Sequence, residues 1–374
     1  MIRWLKTLRR RQSGRRPRLL LVSPLPPPAG GIASWTQRLR ATDMYGRYEL
    51  RILNSNTVRP DGSVVSLGGK SSMALSLVGR FSALMATYRP DVVHINTSGF
   101  LPLFLVEAAE ASVGRKAGAR VLMHIRGSVE DVHERTRPSL RRVQGHVLSR
   151  ADRVLTLHEA GLEVLAGYGV DAQQISNFVI ERDAPDRQHR KGIVQILFVG
   201  WVMPYKGVLE LIEAVSQIPD VHLTLLGRII QETEEEVNAA IDRAGIRERL
   251  TMPGEVPLSE VWDYYDAADI FTLPSWTEGF PNTLVEAMMS ALPSVYTPVG
   301  AMHEMQIDGE TGIEVGVKQA GQLKDALQAL VDDEELRLRM GRAARERALE
   351  EYEMSKVIHR LADHYDELLG INTR

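Results

Sequence analysis

Two carboxylates, Glu278 and Glu286, stand eight positions apart in the stretch Pro274-Ser-Trp-Thr-Glu-Gly-Phe-Pro-Asn-Thr-Leu-Val-Glu286. Between them a Gly-Phe-Pro-Asn turn opens a short helix. If Asn282 or Thr283 caps that helix, Glu286 falls in its first turn and Glu278 in the loop before it. Free backbone N–H groups and the positive end of the helix dipole then lie between two acids. Such an arrangement suits a diphosphate carrying a sugar at each end, the helix start taking phosphate and the carboxylates taking hydroxyls. The same residues also have a purely structural reading. Thr283-x-x-Glu286 is a capping box, and Glu278 alone is an ordinary loop acid.

Further polar groups collect where apolar runs end, which is where open parallel sheets bind ligands. After the first run, Gly30 and Gly31 lack a Cβ and let backbone approach a phosphate or sugar closely, although paired glycines also serve plain loops. His124 ends another run, followed by Arg126 and Gly127; the competing reading is a satisfied structural histidine. His94 and Asn96 end a neighbouring run and are weaker, acceptor-side candidates together with Arg126. In the second half, Gly200 and Gly207 flank Lys206, a point charge suited to a diphosphate. Arg228 follows the next run in Leu-Gly-Arg. Asp308-Gly-Glu-Thr-Gly312 by itself is only a turn signal.

These candidates need elements to position them. Short runs rich in Val, Leu and Ile alternate with helical patterns, which predicts repeated βα units with strands buried on both faces. Predicted strands are 18–23, 48–53, 91–95, 120–124 and 152–157, then 194–199, 222–226, 250–252, 269–273 and 294–297. Helical candidates between them include 34–40, 71–88, 101–116, 208–217, 234–244 and 259–267. The charged stretch 181–192 reads as a linker between two Rossmann-like halves. Residues 325–350 form a charge-rich helical region. A last helix, about 354–369, has apolar residues at helical spacing: Val357, Ile358, Leu361, Ala362 and Tyr365.

At 374 residues the chain suits two domains, and no apolar run reaches the ~18–20 residues of a membrane span. Cysteine is absent, which excludes disulfides and thiolate metal sites and fits a reducing compartment. The four-residue run at 19–22 is too short for a signal-peptide core, so the expectation is a cytoplasmic protein. The net charge of −3 hides an asymmetry: residues 1–190 hold 29 Lys/Arg against 16 Asp/Glu, and residues 191–374 hold 16 against 32. Eight of those cations (Arg3, Lys6, Arg9, Arg10, Arg11, Arg15, Arg16 and Arg18) lie in the first 18 residues, with Trp4, Leu5 and Leu8 among them and no acid. That segment suits an anionic membrane surface, or is a solvated basic tail. Neither zinc-finger spacing nor an RNP-like aromatic string points to nucleic acid.

The spacing from Glu278 to Glu286 resembles the E-x7-E signature of retaining GT-B glycosyltransferases of family 4, also called group 1. The resemblance covers about residues 18–369 and is most specific in the second half. It implies an α/β protein of two Rossmann-like domains facing a cleft: a basic segment 1–17, an acceptor-side domain 18–183, a donor domain 184–353 and a helix 354–374 crossing back to the first. It implies a nucleotide-diphosphate sugar as donor. Glu286 would hold the ribose. Glu278, Gly279, Phe280, Pro281, Asn282, Thr283 and Leu284 would surround the donor sugar and phosphates, with Lys206 on the diphosphate and His124 facing the sugar from the opposite wall. Many members have an arginine beside the phosphate where this chain has Trp201, so Arg228 either replaces it or the subsite is weaker. No D-x-D triplet occurs, and neither a metal nor another cofactor is expected. The acceptor would be a saccharide or lipid-linked hydroxyl in polysaccharide or glycolipid assembly, at a peripheral membrane site. A non-catalytic nucleotide-sugar binder and a nucleotide-sugar epimerase remain alternatives.

Overall fold

Runs of Leu, Val and Ile without polar alternation are satisfied only by strands covered on both faces. In the computed structural model, which describes residues 15–26, 31–40, 42, 44–56, 67–99, 103–185 and 192–371, they form two six-stranded parallel sheets. The first contains β1 (Arg18–Ser23), β2 (Glu49–Asn54), β3 (Val92–Thr97), β4 (Arg120–Ile125), β5 (Arg153–Thr156) and β6 (Ala172–Gln174), in the order β2-β1-β3-β4-β5-β6. The second contains β7 (Val194–Val199), β8 (Val221–Leu226), β9 (Leu250–Gly254), β10 (Ile270–Leu273), β11 (Ser294–Tyr296) and β12 (Gly312–Glu314), in the order β12-β11-β10-β7-β8-β9. Gly30 and residues 1–14, with most of the basic segment, lie outside the described residues.

Helices cover both faces. In the first half they are α1 (Gly31–Leu39), α2 (Met44–Arg47), α3 (Leu67–Thr87), α4 (Leu103–Lys116), α5 (Val129–Arg135), α6 (Pro138–Leu148) and α7 (Glu159–Gly167). In the second they are α8 (Val208–Ser216), α9 (Glu234–Ala244), α10 (Leu258–Ala267), α11 (Asn282–Met289), α12 (Met302–Met305), α13 (Ala320–Asp332) and α14 (Glu334–Glu351), followed by α15 (Met354–Leu369). Sequence patterning misses β6, β12, α2, α5–α7 and α12. Three-residue strands carry too little periodicity to register, and α5 and α6 are short and rich in charge.

The chain passes between the halves twice, and the two passages are hydrogen-bonded to each other. Val179 N donates to Tyr352 O (3.0 Å) and Met354 N to Val179 O (3.1 Å). The first passage therefore precedes the charged stretch 181–192: Arg182 already belongs to the second half, bound to Asp266 at 2.6 Å and stacked over Trp262. Beyond the second passage α15 packs on the first sheet, with Val357, Ile358, Leu361, Ala362 and Tyr365 in one cluster with Leu19, Leu21, Trp35 and Tyr48. Tyr48 Oη donates to Asp366 Oδ1 (2.7 Å), and Tyr365 Oη shares a 2.6 Å hydrogen bond with His94 Nδ1. No helix among the described residues is long and apolar enough to cross a membrane.

α4 carries two acids one turn apart on its inner side. Thr97 Oγ1 donates to half-buried Glu107, while neither carboxylate oxygen of fully buried Glu110 has a hydrogen-bond partner. Burial raises Glu107 to about 7 and Glu110 to about 8, the latter helped by the charge of Glu107. Carboxylates raised on folding contribute stability that is full below their unfolded value and lost as pH climbs through 7 and 8. Burial, reinforced by Arg126, depresses His94 to about 3, so its contribution is full above about pH 6.5 and lost as pH falls towards 3.

Two outcomes follow from this packing. Tyr365→Phe leaves a buried imidazole nitrogen without its partner and costs about 1–3 kcal/mol, seen as a lower urea midpoint at unchanged slope. An unchanged midpoint would show that the bond to α15 carries no net stability. Glu110→Gln flattens the fall in stability between pH 6.5 and 8, by up to about 1.4 kcal/mol per pH unit. Parallel denaturation curves for the two proteins across that window would refute the assignment.

Candidate functional site

β10 runs out at Leu273 and the chain turns through 274–281 before α11 begins. Pro281 occupies the cap position in extended geometry, with no side-chain cap bond, so Asn282 is the first helical residue and caps nothing. This corrects the expected cap at Asn282 or Thr283: a proline with preset φ shapes the turn and frees the asparagine side chain. Asn282 Oδ1 instead accepts from Asn177 Nδ2 of the first half, at 2.8 Å. Glu286 is the fifth residue of the helix rather than a member of its first turn.

The capping box does not form. Glu286 Oε2 lies 2.9 Å from the Tyr265 hydroxyl, and Oε1 is ion-paired with the Arg38 guanidinium, which reaches over from α1 of the first half. Both Glu286 and Arg38 side chains are largely shielded from water, at 8% and 16% exposure. Burial, reinforced by Glu286, pushes the Tyr265 phenol well above its ordinary value, so it stays a hydrogen-bond donor. Arg38 also keeps one buried nitrogen, Nη1, with no partner.

Glu278 is held from below. Its Oε1 accepts from Ser275 Oγ (2.8 Å) and from Lys206 Nζ (2.5 Å). Lys206 ends a tight turn at Pro204–Lys206, and Gly207 follows with φ +71°. A Cβ at Gly207 would stand 2.0 Å from Pro274 O, so glycine is what lets the Lys206 loop press against the Glu278 loop. Gly300, at φ +55°, does the same on the other side, where a Cβ would stand 2.1 Å from Glu278 O. Trp276 adds a brace: its backbone N donates to Tyr205 O (2.9 Å), and Lys318 Nζ lies 3.9 Å from its ring centre.

The halves meet at this turn. A Cβ on Gly279 would lie 3.2 Å from the backbone of Gly127 and Ser128, and one on Gly31 4.0 Å from Asn282 Nδ2. Phe280 is buried, edge-on to Tyr352 at 5.7 Å, and Leu284 lies fully in the core, so their side chains build the turn. Gly200 N donates to Leu226 O and Val202 N to Arg228 O, both at 2.9 Å, which joins the loops after β7 and β8. The exposed Trp201 ring and Arg228 side chain lie on those loops.

The first-half candidates His94, Asn96, His124 and Arg126 lie enclosed at the ends of their strands. His124, expected to face a sugar, is 1% exposed and enclosed by Trp35, His94 and Arg126. Burial and then Arg126 drive it well below the usual histidine range, so it stays neutral. The acceptor-side candidates are enclosed with it: His94 stacks on His124 and bonds Tyr365, and Asn96 donates to Ser23 Oγ at 2.9 Å. Arg126 lies 4.2 Å over Trp35, its pKa lowered to about 9 by burial, and donates to Asn177 Oδ1 at 2.5 Å. Bulky Trp35 closes over the strand ends, turning polar groups there into an interior network. The network still reaches the site, through Arg126, Asn177 and Asn282. Sequence reading missed Arg38, Asn177, Tyr265 and Ser275; Arg38 and its partner are 248 positions apart, so no local spacing links them.

Comparison with known proteins places the chain in a family. "Glycosyl transferases group 1" matches residues 179–347 and "Glycosyl transferase 4-like domain" residues 43–177. A D-inositol 3-phosphate glycosyltransferase of Arthrobacter sp. is 33% identical over 159 residues; the match takes in 41% of this chain and 38% of that protein. Sucrose-phosphate synthase from Thermosynechococcus elongatus superposes with a TM-score of 0.81 at 19% identity, over 96% of this chain and 100% of the other. Anabaena HepE in complex with UDP superposes with a TM-score of 0.73 at 16% identity, over 94% and 100%. The two matched segments abut at residues 177 and 179, where the chain passes between its sheets, and the chain belongs to the group 1, or family 4, glycosyltransferases with their GT-B fold.

Proposed function

We propose that this glycosyltransferase moves a sugar from a nucleotide-diphosphate sugar to a hydroxyl of a saccharide or lipid-linked acceptor, with retention at the anomeric carbon and without a metal. One observation carries the reading: a helix start lies between two shielded carboxylates, one paired with Lys206 and the other with Arg38. UDP in the similar HepE structure supports a nucleotide donor. Polysaccharide or glycolipid assembly is the matching context, with the basic segment 3–18 as a membrane contact.

In this reading Glu286 accepts from the ribose and Glu278 from a sugar hydroxyl. Lys206 has three donors, so binding Glu278 with one leaves two for the diphosphate, and the pair need not break. Leaving-group charge then grows between an ammonium and the first N–H groups of α11, already in place before reaction. For retention, the acceptor oxygen bonds the anomeric carbon on the face from which the phosphate departs. The acceptor proton passes to the departing phosphate oxygen, which needs no protein base. A double displacement instead requires a carboxylate on the opposite face, about 5–5.5 Å from its partner acid.

Glu286→Gln is expected to weaken nucleotide binding about 10- to 100-fold, the worth of a charge-assisted hydrogen bond, in titration calorimetry with UDP, GDP and ADP. Glu278→Gln should lower kcat by a similar factor with little change in nucleotide affinity. Near-normal turnover of Glu278→Gln would remove it from the sugar site. The Arg38–Glu286 pair also ties the halves together, and breaking a buried pair costs about 3–5 kcal/mol. Arg38→Met should therefore enlarge the radius of gyration of the unliganded protein in X-ray scattering; an identical radius would show that the pair does not hold the cleft.

A further inference from the structure

The transferase reading leaves one charged surface unused. From Arg135 to Ala151 the chain holds five arginines and a histidine but no acid. Most of this segment is α6. Its inner side is fixed: Gln144 Nε2 donates to Gly99 O at 3.0 Å, Gly145 packs on Tyr168, and Leu148 is buried. Its outer side shows Arg142, Val143 and His146, with Arg137 and Leu140 at its start and Arg150 just past its end, all exposed. Leu140 and Val143 are 38% and 45% exposed.

None of Arg137, Arg142 and Arg150 has a carboxylate partner among the described residues. Nearby Arg135 and Arg141 do have partners, Asp131 at 3.4 Å and Thr136 O at 2.9 Å. Unpaired arginines with aliphatic side chains set among them match an anionic lipid surface, where cations meet headgroups and the aliphatics enter the boundary beneath. A polyanion without an apolar layer gives Leu140 and Val143 nothing to enter. The bond from Gln144 to Gly99 also places this helix beside the loop after β3, on the sheet's ligand edge.

We propose that the outer face of α6 docks the protein on an anionic membrane surface. This goes beyond the transferase reading and does not depend on it, since binding to vesicles is read without sugar transfer. The full chain is sedimented with phosphatidylglycerol-containing vesicles and with pure phosphatidylcholine vesicles. Binding should require the anionic lipid and weaken with salt. Each cation is worth roughly five-fold in partitioning, so a triple change of Arg137, Arg142 and Arg150 to Gln should lower it on the order of 100-fold. Leu140→Ser with Val143→Ser should lower it further at high salt, where screening leaves the apolar contact dominant. An unchanged melting temperature shows that the variants are folded.

A second full-length variant, with Arg3, Lys6, Arg9, Arg10 and Arg11 changed to Gln, separates α6 from the basic segment. The proposal is overturned if that variant loses vesicle binding while the α6 variants keep it, or if the wild-type protein binds neither vesicle. Equal binding to heparin and to vesicles, insensitive to the Leu140 and Val143 changes, would also overturn it by making the face a polyanion site.

Discussion

A carboxylate removed from water has to be met by donors, and Glu286 is met from both halves of the molecule at once. Tyr265 comes from the helix two elements earlier in the same half, and Arg38 from the helix after the first strand of the other. Neither partner would hold a shielded charge alone, because an unpaired buried carboxylate costs several kcal/mol. The start of α11 is thus fixed in its own sheet and against the opposite sheet. Glu278 completes the arrangement on the other side of the helix start, where Gly300 lets one loop press on the Glu278 backbone and Gly207 lets the Lys206 loop press on that of Pro274. Charge pairing and backbone closeness both converge on one turn.

That convergence depends on how the chain crosses. The passages at Val179 and at Tyr352–Met354 are joined by two backbone hydrogen bonds, so the second strengthens the first. α15 then fills the face of the first sheet that α1 leaves open, and its Tyr365 closes the histidine pair from behind. The interior network of His94, His124, Asn96 and Arg126 is in this sense a buttress. It anchors Arg126, Arg126 bonds Asn177, and Asn177 holds the side chain that proline leaves free at the start of α11. The polar groups at the strand ends act on the turn through this relay, and their own rings stay enclosed.

Much of the fold was legible because parallel strands buried on both faces write themselves as uninterrupted apolar runs. β1 and β7 have the same limits in sequence and structure, 18–23 and 194–199, and most of the others agree within one or two residues. What was not legible was either very short or set by distant partners. β6 and β12 span three residues each. The position of His124 at a strand end was readable, but its burial was not, since that follows from Trp35 folding over it from 89 positions away. Likewise the spacing of Glu278 and Glu286 was plain in the chain, whereas Arg38 had no mark distinguishing it from other helix arginines.

The two acids are therefore in different physical situations despite their common motif. Lys206 and Ser275 both belong to the same half as Glu278, so that carboxylate keeps its partners however the halves move. Glu286 has one partner on each side of the cleft, so separating the halves removes Arg38 and exposes half of its binding capacity. Any hydrogen-bonding group that enters between the halves at Glu286 competes with a guanidinium, while one that reaches Glu278 meets a carboxylate already set by its own loop. Separation of the halves therefore changes the partners of Glu286 and leaves those of Glu278 in place, so the geometry at Glu278 does not depend on the opening.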